Sequence, residues 1–134
     1  MSSTNYLMDL AFEYSIKRSK ILNENNGKAY MSCIIIDKVN HNVIQSGINY
    51  YNINKKYISL HAEVNAVNNL VFTKKKKKIN IFVFRTNKQG NILTMSKPCK
   101  HCIEYICNNI YNKGYRLHNI YYTDFNGQIN IYKK

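Results

Sequence analysis

Four residues in two short motifs have the types and spacing of a catalytic metal centre. His61 and Glu63 lie in a His-Ala-Glu stretch, and Cys99 and Cys102 lie in Pro-Cys-Lys-His-Cys at 98–102, with 34 residues between Glu63 and Pro98. One imidazole and two thiolates leave the fourth tetrahedral position of a zinc ion open, as in catalytic zinc sites. Glu63 is predicted to move protons rather than bind the metal, because a carboxylate beside such a site serves as acid and base.

Each motif is predicted to lie where a helix begins. The apolar pattern predicts a helix over 61–72 with Val64, Val67 and Val71 on one side, and a second helix over 99–113. Pro98 suits the start of that second helix, and cysteines three residues apart share one helical face. The partial positive charge of a helix N-terminus favours the thiolate form of both cysteines.

The rest of the chain is predicted to supply a sheet that positions these two helices. Gly114 is expected to end the second helix, and Asn126-Gly127 to join the last two strands as a hairpin. Right-handed crossovers make the third and fourth strands parallel. The predicted order is α-β-β-α-β-α-β-β, with a first helix at about 3–22 and strands at 29–38, 43–50, 79–86, 120–123 and 128–132.

His-x-Glu followed by Pro-Cys-x-x-Cys resembles the zinc-dependent cytidine and deoxycytidylate deaminase superfamily. The resemblance is specific at the two motifs and topological elsewhere. It implies one α/β domain over 1–134 with a three-layer cytidine deaminase-like fold, a five-stranded mixed sheet with helices on both faces. It also implies hydrolytic deamination of cytosine in a free cytidine or deoxycytidine nucleoside or nucleotide. In that reaction a zinc-bound hydroxide attacks C4 and Glu63 shuttles the protons.

The resemblance further implies three substrate contacts and an oligomer. Asn49 follows the second strand where the superfamily often has a substrate-binding asparagine, the Ala62 backbone would meet the base, and Ser96 would orient it. The alternatives are a plain loop asparagine at 49 and a helix-capping serine at 96. The superfamily is commonly dimeric or tetrameric, so a homodimer or homotetramer is expected.

No branch of the superfamily fits the chain throughout. The stretch 61–66 resembles deoxycytidylate deaminases, whereas an antiparallel last strand pair resembles free cytidine deaminases. The Glu-Pro-Cys of tRNA adenosine deaminases is replaced by Ser-Lys-Pro-Cys at 96–99. Short uncharacterised viral and microbial deaminase-like proteins resemble this stretch best.

Four alternatives to a small-molecule deaminase stay open. One is a closed structural zinc site, whose fourth ligand would come from Cys33, His41, His101, Cys107 or His118. A redox Cys-x-x-Cys is less suitable, because it leaves the His-Ala-Glu stretch without a role. In a third alternative, the same zinc-dependent deamination acts on cytosine or adenine within DNA or RNA. An idle zinc-binding module of the same fold is a further possibility, against which the intact Glu63 argues.

Composition bears on the partners. The net charge is +13, which would favour nucleic acid, but Asn, Ile, Lys and Tyr make up 68 of the 134 residues, with 17 Lys and 3 Arg. Such a bias favours a solvated lysine surface, so Lys74–Lys78 is expected to be exposed and away from the zinc. No apolar run approaches the length of a membrane span, and the N-terminal residues 1–6 lack the basic and apolar regions of a signal peptide. A reduced, cytoplasmic protein without a membrane partner is expected.

Overall fold

The computed structural model describes residues 6–14, 31–48, 50–51, 59–60, 62–86, 93–98 and 100–132. Helix α1 covers residues 6–14 of the predicted first helix. The other elements are β1 (Met31–Asp37), β2 (Val43–Ile48), β3 (Tyr50–Tyr51), β4 (Ser59–Leu60), α2 (Ala62–Asn68), β5 (Lys77–Thr86), β6 (Leu93–Thr94), α3 (Lys100–Asn112), β7 (Tyr115–Thr123) and β8 (Ile129–Ile131). No helix in these ranges is long and apolar enough to cross a membrane.

The main sheet has the strand order β2-β1-β5-β7-β8. β5 and β7 are parallel, with α3 between them in the chain, whereas β1–β2, β1–β5 and β7–β8 are antiparallel. The predicted mixed five-stranded sheet is confirmed, as is its last hairpin. Three short strands were not predicted: β6 pairs with the end of β5, and β3 pairs with β4 in a separate small sheet.

Two apolar layers enclose the sheet. The cluster on one face packs α2 and α3 against the strands through residues such as Ala66, Val67, Ile106 and Ile110. On the other face, Leu7 and Ala11 of α1 pack against a second cluster that includes Phe82 and Phe84. The predicted three-layer α/β architecture is therefore confirmed.

Helix α2 is shorter than predicted, because its carboxyl end is held by a side chain from elsewhere. It ends at Asn68 rather than at residue 72, and Val71, expected on its buried side, is 75% exposed. The Lys113 ammonium, just past α3, donates at 2.8–3.0 Å to the carbonyl oxygens of Val67, Asn68 and Leu70. These carbonyls lack partners at a helix end, and a cation there also interacts favourably with the helix dipole.

Strands β5 and β7 begin earlier than predicted, because each pairs with the other. Lys77 is aligned with Tyr115 and Lys78 with Arg116, so charged residues extend both strands although their sequence lacks apolar alternation. Gly114 ends α3 as predicted, with φ of +90° and no room for a side chain. A Cβ there would lie 1.9 Å from the carbonyl oxygen of Thr73.

Candidate metal centre and active site

Helices α2 and α3 begin at the same edge of the sheet. β1 is antiparallel to both β2 and β5, and β7 is parallel to β5, so β2, β5 and β7 run in one direction. Each helix follows one of these strands and starts near its carboxyl end. Glu63 in the first turn of α2 and Cys102 in the first turn of α3 are thus brought to one edge. Asn49, His61 and Cys99 lie outside the described residues, and their roles stay predictions.

A glycine allows α2 to lie directly on the sheet. At Gly47 of β2, a Cβ would be 2.5 Å from the Ala66 nitrogen and 2.9 Å from the Ala62 oxygen, which is closer than Cβ atoms pack in proteins. Ala62 and Ala66 are themselves buried. Small residues on β2 and α2 therefore set the depth of the α2 N-terminus, that is, how closely it packs on the sheet. The expected contact of the Ala62 backbone with a base stays a prediction.

Glu63 is buried in a way that suits a group handling protons beside a metal. Its side chain is 2% exposed, and Oε1 has no hydrogen-bond partner within the described part of the chain. An unpaired buried carboxylate oxygen is costly, so it calls for a partner from a ligand or water. Cys102 is 3% exposed at the same edge. This unpaired oxygen and the imidazole-and-thiolate donor set fit a zinc ion with one open position.

No three His, Cys, Asp or Glu side chains of the described ranges are grouped so as to hold a metal by themselves. Two of the three predicted ligands, His61 and Cys99, lie outside those ranges. Cys102 is the predicted ligand whose surroundings the structure describes. The ligand set therefore remains a prediction.

Cys33 lies beneath the candidate site as a protonated thiol. It is fully buried in β1, and burial, followed by the charge of Glu63, raises the pKa of the thiol well above its ordinary value. Cys107 of α3 is half-buried.

The three described histidines are all exposed. His41 stacks on the ring of Tyr6 at a centroid distance of 4.2 Å. His118 lies near Lys38 and Lys78, and its pKa is lowered by desolvation and then by these two ammonium groups. His101 is exposed on α3. None of these histidines is buried with Glu63 and Cys102, which disfavours a closed site with one of them as fourth ligand.

Ser96 joins the carboxyl ends of the two parallel strands. Its hydroxyl is 2.8 Å from the Val83 carbonyl oxygen of β5 and 2.7 Å from the Thr123 hydroxyl of β7, and it accepts the Thr123 N–H at 2.8 Å. The Ser96 N–H donates to the Thr123 oxygen at 2.9 Å. Neither of the expected roles of Ser96, orienting a base or capping a helix, appears in these contacts, and the base contact stays a prediction. The local sequence gave no signal for Thr123.

This sheet, with two helices that bring a carboxylate and a thiol to one edge, defines an α/β protein of the cytidine deaminase-like type. The family model for the cytidine and deoxycytidylate deaminase zinc-binding region matches residues 1–114, and the chain belongs to this family. No curated protein and no solved structure matches the chain. Family membership supports zinc-dependent deamination as the general activity, and the match spans both motifs.

Proposed function

We propose that this protein hydrolytically deaminates cytosine in a free cytidine or deoxycytidine nucleoside or nucleotide. The carrying observation is Glu63, a buried carboxylate at the edge that holds Cys102, with Oε1 unpaired among the described residues. His61, Cys99 and Cys102 would hold the zinc. When bound, zinc acts as a Lewis acid that lowers the pKa of water to about 7.

Glu63 would handle the protons of the reaction. It accepts one proton from the attacking water and passes it to the ring nitrogen N3, and it then takes the remaining proton of the new C4 hydroxyl and delivers it to the departing amino group. A C4–O bond forms and the C4–N bond breaks, so cytosine and water become uracil and ammonia. Burial at 2% exposure keeps this carboxylate from bulk water, so its proton transfers stay local.

The test is ammonia release from cytidine, deoxycytidine and their monophosphates, with zinc content measured on the same samples. Glu63→Gln should lower turnover by about 10²- to 10⁴-fold, the usual contribution of general acid–base catalysis, while zinc stays bound. The matched control is Glu104→Gln, the same change at an exposed position of α3. Retained activity in a zinc-loaded Glu63→Gln protein would remove Glu63 from the mechanism, and loss of zinc would make it a ligand.

The alternative, deamination within nucleic acid, gains no support from the position of the five-lysine run. Lys74–Lys78 is exposed, as predicted, and Lys77 begins the ten-residue strand whose other end is near the candidate site. At about 3.3 Å per residue the run lies on the order of 30 Å from that edge. A small-molecule substrate does not need such a distant basic surface.

Replacing all five lysines with Gln separates the two substrates. For a small substrate, kcat/KM should stay nearly unchanged. For a single-stranded nucleic acid that uses the run, the log–log salt slope of binding should flatten by roughly 0.7–0.9 per lost phosphate contact. A salt-dependent loss of single-strand binding, with deamination of that strand by the wild type, would favour the alternative.

A further inference from the structure

Arg85 lies on the helix-covered face of the sheet, near the candidate site. Ile79, Ile81 and Val83 of β5 belong to the cluster under α2 and α3, whereas Phe82 and Phe84 belong to the α1 cluster. Because successive strand residues point to opposite faces, Arg85 shares the face of Val83. Arg85 is two residues closer than Val83 to the carboxyl end of β5, which places it about 7 Å further along the strand.

The residues around Val83 place this position beside the reacting groups. Val83 is aligned with Cys33 of β1, and the charge of Glu63 acts on that thiol. The Val83 carbonyl oxygen also accepts the hydrogen bond from Ser96, two residues before Pro98. Arg85 therefore extends from the edge at which both motif helices begin.

The exposed charge at this edge is mainly positive. Arg85 is exposed and has no ion-pair partner in the described ranges. Lys97 and Lys100, which flank the position of Cys99, are also exposed, with Glu104 as an exposed acid further along α3. The carboxylate of Asp124, which directly follows β7, accepts hydrogen bonds from the Asn126 and Gln128 N–H groups and from the Asn130 side chain.

A guanidinium at this place suits a phosphate. Cytidine and deoxycytidine are neutral, whereas their monophosphates carry an anion that an arginine can bind with two parallel hydrogen bonds. The chain has 17 Lys and 3 Arg, so arginine here does not follow its general use of lysine. We infer that Arg85 binds the phosphate of the substrate and that cytidine monophosphates are preferred over nucleosides. The inference rests on the proposed function and names its substrate class.

The first test compares kcat/KM for deoxycytidine monophosphate and deoxycytidine in the wild type and in Arg85→Gln. Losing a charge-assisted, bidentate contact should lower kcat/KM for the monophosphate by roughly 10- to 100-fold. The kcat/KM of Arg85→Gln for the nucleoside should equal that of the wild type, and Arg85→Lys should lose less kcat/KM for the monophosphate than Arg85→Gln does. Arg116→Gln is the matched control, since Arg116 is also exposed but lies near the start of β7, away from this edge.

Calorimetric binding of the same two compounds to the same proteins separates this inference from the proposed function. If no cytidine compound is deaminated but the monophosphate binds more tightly through Arg85, the proposed function fails and the inference stands. If nucleoside and monophosphate are deaminated equally well and Arg85→Gln changes neither, the function stands and the inference fails. The inference would also be overturned if Arg85→Gln weakened the binding of nucleoside and monophosphate equally, or if the monophosphate did not bind at all. Activity that depends on Arg85 but occurs only on single-stranded nucleic acid would overturn it as well.

Discussion

The hydroxyl of Ser96 lies 2.7 Å from the hydroxyl of Thr123, and the same serine oxygen is 2.8 Å from the Val83 carbonyl oxygen. These contacts connect the ends of β5 and β7 just before the segment that leads into α3. Ser96 is 2% exposed and Thr123 is fully buried, so water cannot replace the bonds if one partner is removed. This pair therefore helps to position the start of α3, where Cys102 lies.

Removing the Ser96 hydroxyl should destabilise the fold and weaken zinc retention. Ser96→Ala removes the hydrogen bonds that the serine hydroxyl makes with the buried Thr123 N–H, the Thr123 hydroxyl and the Val83 carbonyl oxygen, which costs about 1–3 kcal/mol. Urea unfolding and the rate of zinc loss to a chelator measure the two effects. Ser32→Ala is the control, because the buried Ser32 hydroxyl has no partner among the described residues. If Ser96→Ala and Ser32→Ala changed the unfolding free energy and the rate of zinc loss equally, the Ser96–Thr123 pair would have no positioning role.

One zinc ion per chain should be bound, and it should depend on Cys102. X-ray absorption should give zinc–sulfur distances of about 2.3 Å and a zinc–nitrogen distance of about 2.0–2.1 Å. Cys102→Ser should strongly reduce the zinc content, whereas Cys107→Ser, at a half-buried position of the same helix, should not. Chelation should abolish ammonia release, and added zinc should restore it. A fourth protein ligand in the substrate-free protein would contradict the open site.

Adding one methyl group at Gly47 should displace the start of α2. A Cβ would be 2.5 Å from the Ala66 nitrogen, and backbone atoms cannot yield as a flexible side chain can. Gly47→Ala should therefore cost about 1–3 kcal/mol or more through overpacking, and turnover should fall because Glu63 moves with the helix. Ser46→Ala on the same strand is the control. Unchanged activity and stability in Gly47→Ala would show that α2 is not held at this depth.

The turn between β7 and β8 should lose stability in acid through Asp124. Backbone and side-chain hydrogen bonds, above all from Gln128 and Asn130, lower the pKa of Asp124 below its ordinary value of 3.8. A lowered folded-state pKa stabilises the protein above the unfolded-state pKa, and this contribution disappears as pH falls through the folded-state pKa. The stability difference between wild type and Asp124→Asn should therefore shrink as the pH falls from 6 to 3.

Urea unfolding of both proteins at each pH measures this difference, and zinc loss in acid affects both alike. Asp9→Asn, at an exposed position of α1, controls for a general change of charge. A stability difference that is constant with pH would show that the Asp124 carboxylate does not contribute in its ionised form.

Local sequence patterns predicted most of the elements because their causes are local. Gly114 ends α3 because only glycine fits there with φ of +90°, and Asn126-Gly127 turns the chain between β7 and β8. The end of α2 could not be predicted in this way. It depends on the ammonium of Lys113, more than 40 residues further along the chain.

The sequence by itself determined the family and the order of the main elements, and it supplied the candidate residues for the chemistry. Its two motifs name Glu63 and the cysteines because metal and proton chemistry require particular side chains at short, fixed spacings. Only the tertiary structure placed Glu63 near Cys33, Ser96 against Thr123 and Val83 on the face of the sheet that α2 and α3 cover. These relationships depend on strand register and helix depth, which arise from packing between residues far apart in the chain.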